Sequence, residues 1–82
     1  MVTVAFEPRF KRTVSKIKDR ALKEKIKKQI KRIIASPETG KPMRYTRKRT
    51  REVRIPPFRL SYMYLKNKNR IVFLELYHKN EQ

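Results

Sequence analysis

The sequence predicts an α+β domain: two N-terminal helices packed on one face of a small, mostly antiparallel four-stranded sheet, in the order β-α-α-β-β-β. Three observations predict it. Apolar residues in the first half recur mainly at spacings of three and four, which is the period of an amphipathic helix. In the second half the spacing falls to two, the period of a strand. The Pro and Gly residues fall at the joints between these runs, where a missing N–H or a turn is tolerated.

Val2, Val4 and Phe6 alternate with Thr3 and Ala5 as a short strand. Pro8 suits the first turn of a helix, since its absent N–H would have no intrahelical partner there, and Glu7 lies at the favoured end of the dipole. Phe10, Val14 and Ile17 form that helix's apolar stripe. Asp19 is a good N-cap for a second helix, in which Leu22, Ile26, Ile30, Ile33 and Ile34 lie on one side and lysines cover the rest, with Glu24 and Lys28 four apart. Ser36-Pro37 stops it and Gly40-Lys-Pro42 turns the chain. Arg51–Ile55 then alternates, Pro56-Pro57 interrupts pairing, Phe58–Leu65 resumes, Lys66–Asn69 reads as a hairpin turn, and Arg70–Tyr77 is the last strand.

Alternation sorts the sheet into two faces. Val53, Ile55, Leu60, Tyr62, Tyr64, Val72, Leu74 and Leu76 are expected under the helices. Glu52, Arg54, Arg59, Ser61, Glu75, Tyr77 and Lys79 are expected on the uncovered face, which makes it a candidate site.

Composition narrows the function. Eighty-two residues form one domain, 1–82, since neither part of a divided chain would keep enough core. The net charge is +17, from 24 Lys and Arg against 7 Asp and Glu, so the chain is expected to bind a polyanion, RNA first among them. No cysteine is present, which excludes a disulfide framework and fits the cytoplasm. No apolar run approaches the ~20 residues of a membrane span, so no membrane partner is expected. There is no P-loop, zinc spacing or Gly-rich phosphate cradle, and neither a metal nor a small-molecule cofactor is expected. Six cations fall within the eleven residues from Arg44 to Arg54. Arg44, Arg47, Lys48, Arg49 and Arg51 of that run read as a phosphate rail for RNA, beyond what guarding a strand edge requires. Tyr77 is a candidate for stacking on a base.

The ordered set "SPETGKPM" at Ser36–Met43, "EVRIPPFRLSY" at Glu52–Tyr62 and "LELYHK" at Leu74–Lys79 resembles the RelE/ParE toxin superfamily, and more narrowly its RelE-like messenger-RNA interferases. The likeness spans nearly the whole chain. It implies the toxin of a type II toxin–antitoxin system: an endoribonuclease that cleaves mRNA on the ribosome without a metal and is neutralised by an acidic antitoxin. It also implies site residues. Arg54 stands where the family has a cation on the second strand. Arg59 matches the arginine most characteristic of phosphate binding, and Lys79, after His78, stands where many members have Arg. Glu52 replaces the lysine of the best-known type of member, and the chain ends at Gln82, before the C-terminal tyrosine many members use. The alternatives are a ParE-like inhibitor of DNA gyrase, which shares the fold, and a non-catalytic RNA- or ribosome-binding protein.

The cleavage so implied needs a base for the 2′-OH, cations for the phosphorane and an acid for the leaving 5′-oxygen. Arg54 and Arg59 suit the second task, because a guanidinium bridges two phosphate oxygens. Lys79 adds a phosphate contact. His78, the only histidine, is a candidate acid or base. Glu52 is a candidate base if Arg54 holds it ionised; the plainer alternative is a salt bridge across the face.

Overall fold

β1 (Thr3–Phe6) leads through Glu7 into α1 (Pro8–Lys16), and three residues later α2 (Arg20–Ala35) begins. A two-residue strand, β2 (Lys41–Pro42), precedes β3 (Thr50–Ile55), β4 (Phe58–Leu65) and β5 (Arg70–His78). The computed structural model describes residues 2–42 and 50–78, and of residues 41 and 42 the backbone alone. The strands form one sheet in the order β1-β5-β4-β3-β2. β1 runs parallel to β5, and the other pairs are antiparallel. The expected four strands are therefore present, with the short β2 added at one edge.

The helix ends follow from local chemistry. Pro8 opens α1, and Glu7 before it is extended with no side-chain cap bond. Asp19 caps α2 with its carboxylate, accepting from the Ala21 N–H at 2.9 Å and the Leu22 N–H at 3.3 Å. That satisfies two of the four donors a helix N-terminus leaves open. On the solvent side of α2, Glu24 pairs with Lys27 at 3.8 Å, not with Lys28, and both side chains are too exposed for the pair to contribute much.

Phe10, Ile17, Ile26 and Ile33 from the helical half meet Ile55, Leu60, Tyr62, Ile71, Phe73 and Leu76 from the sheet in one core. Phe73 is its aromatic centre, with ring centroids 5.1 Å from Phe6, 5.7 Å from Phe10 and 6.1 Å from Tyr62. This departs from strict alternation. Leu60 faces Leu76 and Ser61 faces Glu75, but Tyr62 faces Phe73, so the register shifts and Leu74 has no partner on β4. The bulge hands the core positions expected for Val72 and Leu74 to Ile71 and Phe73, both fully buried. A straight strand would have turned the larger aromatic away from the helices, whereas an inserted residue lets both halves of β5 keep their apolar residues inside. The connection between β4 and β5 is a turn of 3-10 helix at Lys66–Lys68 closed by Asn69 at φ 50°, a left-handed conformation Asn tolerates.

Where α2 meets the sheet, the helix exit is clamped. The buried Tyr62 hydroxyl donates to the Pro37 carbonyl and accepts from the Gly40 N–H, each at 2.8 Å. A Cβ at residue 40 would lie 2.8 Å from that hydroxyl oxygen, so the approach requires glycine. Arg51 completes the clamp, donating to the Glu38 and Gly40 carbonyls at 3.1 and 2.8 Å. No helix among the described residues is long and apolar enough to cross a membrane.

Candidate active site on the open face of the sheet

The strand register builds the site as two rows. Glu52, Ser61 and Glu75 stand opposite one another across β3, β4 and β5, and beside them stand Arg54, Arg59 and Tyr77. Alternation puts all six on the face away from the core. The bulge at Leu74 is what keeps Glu75 and Tyr77 in these rows while Phe73 points into the core.

Long side chains then connect the rows diagonally. Arg59 Nη1 donates to Glu52 Oε1 at 3.0 Å, and the Tyr77 hydroxyl donates to Glu52 Oε2, reaching over the central strand. Both oxygens of the carboxylate are thus held. The Arg59 and Glu52 side chains are 19% and 16% exposed, dry enough that each requires the other's charge yet open on one side to solvent. The partner of Glu52 is Arg59, not Arg54. Arg54 is exposed and stands directly across from Arg59, so two cationic stems share one spot and the carboxylate beside them offsets their repulsion. Beneath this network Ser61 is fully buried. Its Oγ and the Arg59 Nε are buried without a hydrogen-bond partner among the described residues.

The other expected site residues fall elsewhere. His78 follows Tyr77 on β5 and so points to the helix side, where its ring lies edge-on to Phe58 with centroids 5.6 Å apart; alternation separates it from the Glu52 cluster. Arg51 stands opposite Tyr62 on that same side and is committed to the helix exit through the two carbonyl bonds and a 3.9 Å contact with Glu38. Arg44, Arg47, Lys48, Arg49 and Lys79 lie outside the described residues. Among the described residues no group of three His, Cys, Asp or Glu comes together to hold a metal. In the sequence Tyr77 is a candidate on this face only as a base-stacking ring. Its bond to Glu52 spans 25 residues of chain, and no local pattern signals it.

A carboxylate between a guanidinium and a phenol, with a second guanidinium alongside, can accept a proton, donate one and bind an oxyanion. The comparisons supply the family around that arrangement. The fold is similar to that of a chain in the intact E. coli RelBE toxin–antitoxin complex, with a TM-score of 0.81 at 17% identity over 100% of both chains. It is similar to the YoeB/ParE toxin from Agrobacterium tumefaciens, with a TM-score of 0.82 at 15% identity over 94% of this chain and 98% of that one. A chain of the RelBE2 toxin–antitoxin complex from Mycobacterium tuberculosis reaches 25% identity with a TM-score of 0.78, over 95% and 98% of the two chains. No curated protein sequence matches. The family model described as the ParE toxin of type II toxin–antitoxin systems, parDE, matches residues 4–82, which takes in both helices and every described strand of the sheet from Val4 onward. On that match across nearly its full length, with the fold agreeing, the chain belongs to the RelE/ParE family of type II toxin–antitoxin toxins.

Proposed function

We propose that the protein is a metal-independent endoribonuclease that cleaves mRNA on the ribosome and is held inactive by an acidic antitoxin. One observation carries this reading: the Arg59–Glu52–Tyr77 network with Arg54 beside it, on the open face of a protein with a net charge of +17. Glu52 takes the proton of the 2′-OH as that oxygen attacks the adjacent phosphorus. Arg54 and Arg59 stabilise the charge gathering on the phosphorane. Tyr77 protonates the departing 5′-oxygen, leaving a 2′,3′-cyclic phosphate and a 5′-hydroxyl. The direct bond between Tyr77 and Glu52 then returns the proton from carboxyl to phenolate and resets the site. Lys79 and the cations Arg44, Arg47, Lys48 and Arg49 serve as phosphate contacts for the RNA, and His78, which lies on the other face against Phe58, takes no part in the proton transfers. The antitoxin partner is supported by the toxin–antitoxin complexes among the similar structures, and by a charge that an acidic chain would neutralise.

The test is incubation with mRNA and translating ribosomes in the presence of chelator. Cleavage with cyclic-phosphate ends is expected. Arg59→Ala should slow it by about 10²–10³, as the loss of one preorganised donor to developing charge does. Lys28→Ala, on the solvent side of α2, should leave it unchanged. Intact mRNA with wild-type protein in excess would refute the reading. It would favour instead non-catalytic inhibition of DNA gyrase, the reading that the ParE description of the family model supports.

A further inference from the structure

Resting on the reading of the open face as an RNA phosphate site, we infer that Glu52 occupies the phosphate's own seat in the free protein, and that RNA binds by exchanging its phosphate for this carboxylate on Arg59. Arg59 is the best-placed anion receptor on the face, and its Nη1 is already spent on Glu52 at 3.0 Å. The seat is nevertheless built for more than a carboxylate. The Arg59 Nε and the Ser61 hydroxyl, both buried, have no acceptor among the described residues, and Arg54 stands across from Arg59 with its guanidinium exposed. A planar carboxylate with two oxygens, one of them given to Tyr77, leaves these donors idle. A tetrahedral phosphodiester presents oxygens in more directions and brings its own charge to the two arginines.

The exchange couples binding to chemistry. Once a phosphate takes the guanidinium, Glu52 keeps only its Tyr77 bond, and its freed oxygen is the one available to accept the 2′-OH proton. In the empty protein the same carboxylate offsets the Arg54–Arg59 repulsion, so the resting site is stable and occupied. The competition makes two distinct demands on Glu52. It must weaken binding of any phosphate ligand, and it must do so only through Arg59.

A short single-stranded oligonucleotide with 2′-O-methyl riboses, which has no 2′-OH to attack, separates binding from cleavage. Against this probe Glu52→Gln should bind about tenfold to a hundredfold more tightly than wild type, the worth of one charge-assisted hydrogen bond no longer contested. Glu24→Gln on exposed α2 makes the same change in net charge and should alter affinity less than about twofold. In an Arg59→Ala background the gain from Glu52→Gln should vanish. In the wild type, saturation with the probe should shift the Arg59 Nε–H resonance in nuclear magnetic resonance spectra, a readout that needs no variant to fold. Unchanged or weaker binding by Glu52→Gln, a gain that persists without Arg59, or an unmoved Arg59 resonance would each overturn the exchange. If mRNA stays intact yet Glu52→Gln tightens the probe, the nuclease reading falls and the exchange stands. Cleavage without tightening has the opposite meaning.

Discussion

Replacing the buried Tyr62 with Phe removes one oxygen atom from the clamp at the exit of α2, and the structure allows its cost to be worked out. The ring keeps its place against Phe73, so no cavity larger than the oxygen appears. What is lost is a pair of 2.8 Å hydrogen bonds, one from the hydroxyl to the Pro37 carbonyl and one to it from the Gly40 N–H. A buried polar group left without its partner costs about 1–3 kcal/mol. The Gly40 N–H is buried and bears the full penalty, while the partly buried Pro37 carbonyl recovers some of it from water. The sum is about 2–4 kcal/mol. In a domain of this length each kcal/mol lowers Tm by about 4–8 °C, so a fall of about 10–30 °C is expected by circular dichroism at neutral pH. The difference should also depend on pH. Burial raises the Tyr62 phenol above its ordinary value of 10.0, outweighing the Gly40 N–H and the Arg51 charge, which pull the other way. A raised pKa means the folded state holds the proton more tightly. The contribution is complete below the unfolded value near 10, and it is lost as pH rises through that value towards the folded one. The wild type should therefore lose its advantage over Tyr62→Phe in alkali, and the gap should narrow. A Tm difference below about 3 °C, with a gap that ignores alkaline pH, would refute the clamp.

Two further outcomes test other parts of the molecule. Asp19→Ala removes the cap from α2, whose carboxylate serves two N–H groups. It should cost about 0.5–2 kcal/mol, read as a lower denaturant midpoint at unchanged slope, with Asp19→Asn restoring most of the loss. RNA affinity should fall steeply with salt, as the +17 charge demands. If about six phosphates are neutralised, log K against log salt has a slope of about −4 on a single strand. Arg47→Ala should flatten it by about 0.7, and a slope near zero would remove the polyanion reading.

The elements and their order were present in the sequence because they depend on near neighbours. The spacing of Phe10, Val14 and Ile17, the cap at Asp19, the Ser36-Pro37 stop and the alternation of Glu52, Val53, Arg54 and Ile55 are each settled within a few residues of chain. The facing of Arg54 and Arg59 followed too, since a short turn at Pro56-Pro57 fixes the register of β3 against β4. Only the tertiary structure decided β5. Whether Val72 or Phe73 enters the core depends on what the helices leave unfilled, and a bulge resolves it at a position no local pattern marks. Beyond the bulge alternation holds, with Tyr77 on the open face and His78 on the other, so the sequence placed Arg59, Glu52 and Tyr77 on one face but could not join them. That Glu52 is bound by Arg59 and Tyr77 is a matter of diagonal reach across three strands. Such reach exists only once the sheet has assembled, because the residues it connects are neighbours in space and distant in the chain.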